Sequence, residues 1–318
     1  MKKEIQSLYV LKALSAFFVV LIHFPLFCQE LIFPIIRTAV PVFFIISGYF
    51  LVAPDGSISV DKVRYGIIKM IKYVLLYNLL YLVFNYLCYG YFTIYGEYKK
   101  LFARAVLGSP FGYHLWYLTT YLEVLLCLYV VVKYVKRKFL LSIAPFLYLV
   151  GVVLMAWPGI SILLGRNFVF WGIPCVLAGV YLRQHEQAIM HWFRLRRWKV
   201  LMVVFFLTYL EYALRHWVSI NYGDYALLTL PFSCALFLFF ISFDKTVFPQ
   251  WLVSIGKKYS LDIYIYHVMV GILLLKVSFF EQLKPFIGVV IFLLSWFLSI
   301  FLHSGQRFFS RLVVKDKT

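Results

Sequence analysis

Long apolar runs, broken by short polar or proline-bearing stretches, govern this chain from end to end. The first reads LYVLKALSAFFVVLIHF, and about ten such segments are long enough to cross a bilayer at roughly 20 residues per crossing. They lie near 8–27, 37–53, 67–89, 113–132, 139–156, 167–182, 199–217, 225–243, 260–278 and 285–303. Runs of this length predict helices, because a β-barrel would show alternating segments of about ten residues instead. Pro25, Pro34, Pro54, Pro110, Pro158, Pro249 and Pro285 punctuate the boundaries and loops. Pro41, Pro145, Pro174 and Pro231 fall near the starts of spans or within them, where neighbouring helices satisfy the freed backbone. The expected fold is all-α: a polytopic integral membrane protein of about ten transmembrane helices, with residues 1–318 forming one domain.

Composition agrees with the pattern. The 318 residues are 64% hydrophobic and 14% charged, against about half and a quarter in soluble domains. The net charge of +18 would point to nucleic acid in a soluble protein. Here most of it gathers in short loops on one side, so it reads as topogenic and nucleic acid is not an expected partner. Alternating the loops puts about 22 cations, including the Lys133–Lys138 and Arg194–Lys199 clusters, opposite 8 others. Both termini are therefore expected to be cytoplasmic. Lys2 and Lys3 before an apolar run mimic a signal peptide, but Lys12 interrupts that run and no small-x-small site follows, so a retained helix is expected. Cys28, Cys88, Cys127, Cys175 and Cys234 are scattered singly without metal spacing and read as small hydrophobes. The largest external loop, near 90–112, carries Glu97, Lys99, Lys100 and Arg104 before Gly108-Ser109-Pro110.

Polar residues inside the spans are the candidates for chemistry. Lys12 and His23 are separated by about three helical turns, so they share a face and lie roughly 16 Å apart. A lysine in the apolar heart of a membrane helix costs at least about 2.5 kcal/mol unless compensated, so such residues normally face a bundle interior. A snorkelling lysine and an interfacial histidine are the structural alternative. Ser47-Gly48-Tyr49 closes the second span, where a Ser-Gly pair also permits close helix packing. Lys69 and Lys72 lie one turn apart at the start of the third span, which suits a phosphate-bearing ligand or a topogenic role equally. The fourth span opens with His114, Trp116 and Tyr117 at an aromatic belt and carries Glu123 at depth. Glu211 and Arg215 read as a structural i,i+4 pair, Asp262 as a helix-start residue, and Asn78 and Asn85 as interhelical glue. Tyr264 and His267 share a face of the ninth span.

Taken in order, Lys12-x10-His23, FFIISGYFL, Lys69-x2-Lys72, HLWYL at 114–118 and YSLDIYIYH at 259–267 resemble the membrane-bound acyltransferase family 3. That family comprises the bacterial cell-surface polysaccharide O-acyltransferases, and the resemblance spans essentially the whole chain. Lysine stands at 69 and 72 where the family often has arginine, which keeps the charge and loses bidentate phosphate geometry. The chain resembles the short, membrane-only type.

The resemblance implies acyl transfer, often of acetyl, from cytoplasmic acyl-CoA to a hydroxyl of a cell-envelope glycan or its lipid-linked precursor. It implies His23 as the base and Lys12, Lys69 and Lys72 at the anionic CoA end. Ser47, Gly48, Tyr49, His114, Trp116, Tyr117, Glu123, Tyr264 and His267 are expected to line the substrate path. No bound cofactor or metal is expected; acetyl-CoA enters as a donor substrate. Expected partners are acyl-CoA, the glycan or lipid-linked sugar and the lipid bilayer, with a homo-oligomer left open. The expected location is a bacterial cytoplasmic (inner) membrane. The rival reading is a transporter or flippase of a glycan or lipid-linked sugar, against which stands the lack of an internal repeat.

Overall fold

The computed structural model describes residues 5–90, 111–135, 137–157, 159–160, 165–218, 226–243, 247–277 and 285–315. Of the expected external loop near 90–112, residues 91–110, with Glu97, Lys99, Lys100 and Arg104, lie outside the described residues. Hydrocarbon leaves a backbone no partner but itself, so apolar segments of this length become helices. Among the described residues, eight helices are long and apolar enough to cross a membrane, and two more apolar helices, Phe168–Gln184 and Thr229–Ile241, are shorter. The protein is an all-α, multi-pass membrane protein.

Two compact units emerge, one from residues 1–39 and 243–318, the other from 40–242. In the first, α1 (Gln6–His23) packs against α2 (Gln29–Ile36), α10 (Gln250–Ser254), α11 (Ser260–Leu275) and α12 (Ile287–Lys315). Every residue of α1 is buried or half-buried. Pro25 ends α1 at His23, four residues before the expected end of the span at 27, because the residue before a proline is pushed to extended backbone, and Phe24 has φ −131° and ψ 101°. The stretch after it, read as a loop, instead forms α2, with Pro34 inside at the loss of one intrahelical hydrogen bond. Between α10 and α11 the chain stays helical through a wide π turn, Ile255–Tyr259. There Gly256 lies against the Tyr9 carbonyl of α1, where any side chain would overlap backbone.

The second unit contains α3 (Ala39–Leu51), α4 (Val60–Tyr89), α5 (Trp116–Tyr134), α6 (Arg137–Ala156), α7 (Ile173–Gln184), α8 (Glu186–Trp217) and α9 (Thr229–Ile241). Short polar features set its helix ends. Ser59 caps α4 by accepting from the Lys62 amide, and Gly90 ends it in a left-handed conformation with φ 72°. The Lys62 ammonium donates to the carbonyls of Phe50 (2.8 Å) and Val52 (2.6 Å), closing the end of α3. Glu211 and Arg215 pair as expected, at 2.8 Å. The same carboxylate accepts from the amides of Leu227 (2.6 Å) and Leu228 (2.8 Å), fixing the entry to α9. The Arg194–Lys199 cluster lies on the 32-residue α8 rather than in a loop. Arginine, lysine and leucine are strong helix formers, so the helix carries the cations beyond the apolar stretch.

Helices α3 and α7 cross on two reciprocal glycines. Gly48 receives the backbone of Val176, and Gly179 receives the backbone of Ile45. Contact at this range is available only to residues without a Cβ. Gly179→Ala must push the two helices apart and is expected to lower stability by about 1–3 kcal/mol, read by thermal unfolding in detergent. Gly66→Ala, whose new methyl meets only the tip of the Leu125 side chain at 3.0 Å, should leave the unfolding midpoint nearly unchanged.

Candidate functional site

Helix α1 is continuous from Gln6 to His23, so Lys12 and His23 do fall on one helix, about three turns apart. Both side chains are half-buried within a helix that is otherwise largely buried. His23 is the final residue of α1, and its ring meets that of His267 on α11, with centroids 5.2 Å apart and planes tilted by 33°. His267 is fully buried, and the Phe24 ring stands edge-on to it at 6.3 Å. Its Nδ1 lies 3.1 Å from the Ile263 carbonyl, one turn back on α11. A carbonyl only accepts, so Nδ1 carries the ring proton and Nε2 is left as an acceptor. Tyr264 lies on the same face, its ring 6.2 Å from that of His267. The first unit therefore gathers His23, His267 and Tyr264 into one aromatic and titratable cluster.

Asp262 does not act as a cap. The π turn makes α10 and α11 continuous, so α11 has no exposed start for a carboxylate to satisfy. Instead, Asp262 pairs with His303 of α12 at 2.7 Å, and Tyr259 stands edge-on to the His303 ring at 5.3 Å. His303 carried no signal in the sequence, because its partner is 41 residues away.

The remaining candidates belong to the second unit. The Ser47 hydroxyl donates to the Phe43 carbonyl at 2.8 Å and lies within hydrogen-bonding reach of Tyr117 and Tyr121. Those two rings stack with planes 4° apart, and Tyr117 also packs on Phe44 at 4.7 Å. Ser47 and Tyr117 are thus brought together, with Tyr121 as a member that sequence reasoning missed. Gly48 is taken up by the α3–α7 crossing. Tyr49, two residues from Ser47, looks elsewhere: its hydroxyl donates to Glu186 at 2.8 Å and accepts from Arg183 at 2.8 Å. Arg183 also pairs directly with Glu186, and its guanidinium lies 5.0 Å from the Tyr49 ring centre.

His114 is buried, with the Tyr81 ring edge-on at 4.7 Å. Trp116 is buried beneath the Arg166 guanidinium at 4.6 Å. Lys69 and Lys72 are exposed on α4, Lys69 reaching over the Tyr73 ring at 5.5 Å. Glu123 sits at mid-length of α5 with one buried oxygen lacking a hydrogen-bond partner. Asn85 does tie elements together, donating to the Phe111 carbonyl at 2.9 Å, whereas the Asn78 amide reaches the Val74 carbonyl of its own helix.

A profile of the acyltransferase-3 family, described as an acyltransferase domain, matches residues 5–304. No curated protein and no solved structure matches the chain.

The Asp262–His303 contact joins α11 to α12 inside the unit that holds His23. A double-mutant cycle of Asp262→Asn and His303→Ala, followed by chemical unfolding in detergent, should show a coupling of about 0.5–3 kcal/mol. Additive losses would mean that the pair does not fasten the two helices.

Proposed function

The chain belongs to the acyltransferase-3 family, and from that premise we propose that it moves an acetyl group from cytoplasmic acetyl-CoA to a hydroxyl of a cell-surface polysaccharide or its lipid-linked precursor, in a bacterial cytoplasmic membrane. The observation that carries this reading is the His23–His267 contact at one end of α1, with Lys12 about three turns away on the same helix. A thioester is already activated. The protein has to admit it, hold the anionic end of the donor and remove a proton from the acceptor.

In the proposed reaction a ring nitrogen of His23 takes the proton of the sugar hydroxyl as its oxygen attacks the thioester carbonyl carbon. The tetrahedral intermediate collapses by breaking the C–S bond, and the CoA thiolate takes the proton back from the imidazolium. Atoms and charge balance without a further reactant. His267 acts as a positioning residue: its own ring is fixed by the Ile263 carbonyl, and it holds the His23 ring through their tilted ring contact. Lys12 is assigned to the phosphates of the donor, where a compact ammonium acts as a point charge. Lys69 and Lys72, exposed on α4 of the second unit, are proposed on their charge alone as contacts for donor phosphates.

In membranes supplied with radiolabelled acetyl-CoA, His23→Ala should reduce glycan labelling by about 10²-fold or more, while the protein remains inserted. Unchanged labelling would remove His23 from the role of base. Lys12→Ala should raise KM for acetyl-CoA several-fold with a smaller effect on kcat; an unaltered dependence on donor concentration would take the donor role from Lys12.

A further inference from the structure

Helix α6 packs along α7, whereas α9 touches α7 only briefly. Between them lies a cavity of about 550 Å³, wholly within the second unit. A proline from each helix lines it: Pro145 of α6, Pro174 of α7 and Pro231 of α9. Ala144 and Ala178 add two side chains too small to fill the space. Tyr148 fixes one part of the wall. Its hydroxyl donates to the Ala226 carbonyl at 2.8 Å and accepts from the Leu230 amide at 3.1 Å, while its ring stacks on Trp171 at 5.9 Å. The wall beneath that tie is therefore held in place rather than free to collapse.

Water is a poor occupant. An ordered buried water needs two to four polar partners. The polar side-chain groups on the lining are the Tyr148 and Tyr181 hydroxyls and the Cys234 thiol, and the first of these already has two hydrogen bonds. A single hydrocarbon chain matches both the volume and the apolar wall.

We infer that this groove is a binding site for one acyl chain of a bilayer phospholipid. Its rim commits it to that source. Leu149, Tyr181 and Leu227 border the opening and are 48%, 47% and 44% exposed, on a multi-pass membrane protein whose exposed apolar faces meet hydrocarbon. The groove is continuous with that lipid-facing surface, so a chain enters sideways from the bilayer without leaving apolar surroundings. Pro145 lies inside α6, whereas Pro174 and Pro231 occupy the first turns of α7 and α9, where proline is tolerated.

The test uses the full chain in vesicles of phosphatidylethanolamine and phosphatidylglycerol, doped with phosphatidylethanolamine bearing an acyl-chain diazirine. After irradiation, mass spectrometry should find adducts on α6 and α7 lining residues several-fold above those on Phe206 of α8, an ordinary exposed position at 65%. Ala178→Trp, which fills the groove, should lower the groove adducts several-fold and leave Phe206 unchanged. Ala144→Leu serves the same purpose with a smaller insertion, should the tryptophan variant fail to insert. Equal labelling of groove and Phe206, or groove adducts indifferent to both fillings, would mean annular lipid only and overturn the assignment. Loss of the adducts on adding a polyprenyl phosphate would overturn it in favour of an isoprenoid tail, and cross-links between copies of the chain in favour of a self-association face.

Discussion

Keeping a lysine and a histidine out of hydrocarbon is the constraint on which the unit formed by residues 1–39 and 243–318 depends. A charge on a lipid-facing helix is costly, and α1 carries Lys12 in mid-span and His23 at its end. The unit answers by surrounding α1 with α2, α10, α11 and α12 until no residue of it is exposed. Close approach at Gly256 brings the π turn onto the α1 backbone, and Gly271 and Gly288 make room for Phe24 at the other end. That packing sets the His23 ring against His267 and leaves both candidate groups half-buried on a helix that cannot rotate without breaking its neighbours' contacts. The same burial that makes the polar residues tolerable gives them fixed positions, which is what proton transfer at a substrate hydroxyl demands.

The second unit meets the membrane differently. Its helices are pinned chiefly at their ends, by Lys62 on the carbonyls closing α3, by Glu211 on the amides opening α9, and by Arg183 between Tyr49 and Glu186. Glycine contact at the α3–α7 crossing supplies the close approach in between. Where α9 touches α7 only briefly the contact is looser, and an apolar groove remains.

Much of this architecture is legible in the sequence because hydrocarbon enforces it. Apolar runs mark the spans, and the four-residue spacing of Glu211 and Arg215 marks their pairing, whereas the first span, read to 27, runs past the end that Pro25 sets for α1. Lys12 and His23 declare a shared face through spacing alone. Contacts between residues distant in sequence are not legible. The Arg183–Glu186 pair can be read locally, but Tyr49 reaches it from 134 residues away. Asp262 looks like a cap because sequence does not show that α10 runs into α11 through a π turn, and only the fold reveals His303 as its partner. The reach of α8 through Arg194–Lys199 was hidden for a related reason: charge signals the membrane boundary, and the helix does not stop there. Family membership follows from the order of the motifs and from a match over residues 5–304, whereas the donor and acceptor are chemical proposals.

The central claim is that this membrane acyltransferase places acetyl on a cell-surface glycan. Mass spectrometry of surface glycans from otherwise identical cells, with and without the protein, tests it most directly. The account predicts a repeat unit heavier by one acetyl group when the protein is present, and unmodified glycan when it is absent. Identical masses with an altered amount of glycan at the surface would contradict it and point to transport instead.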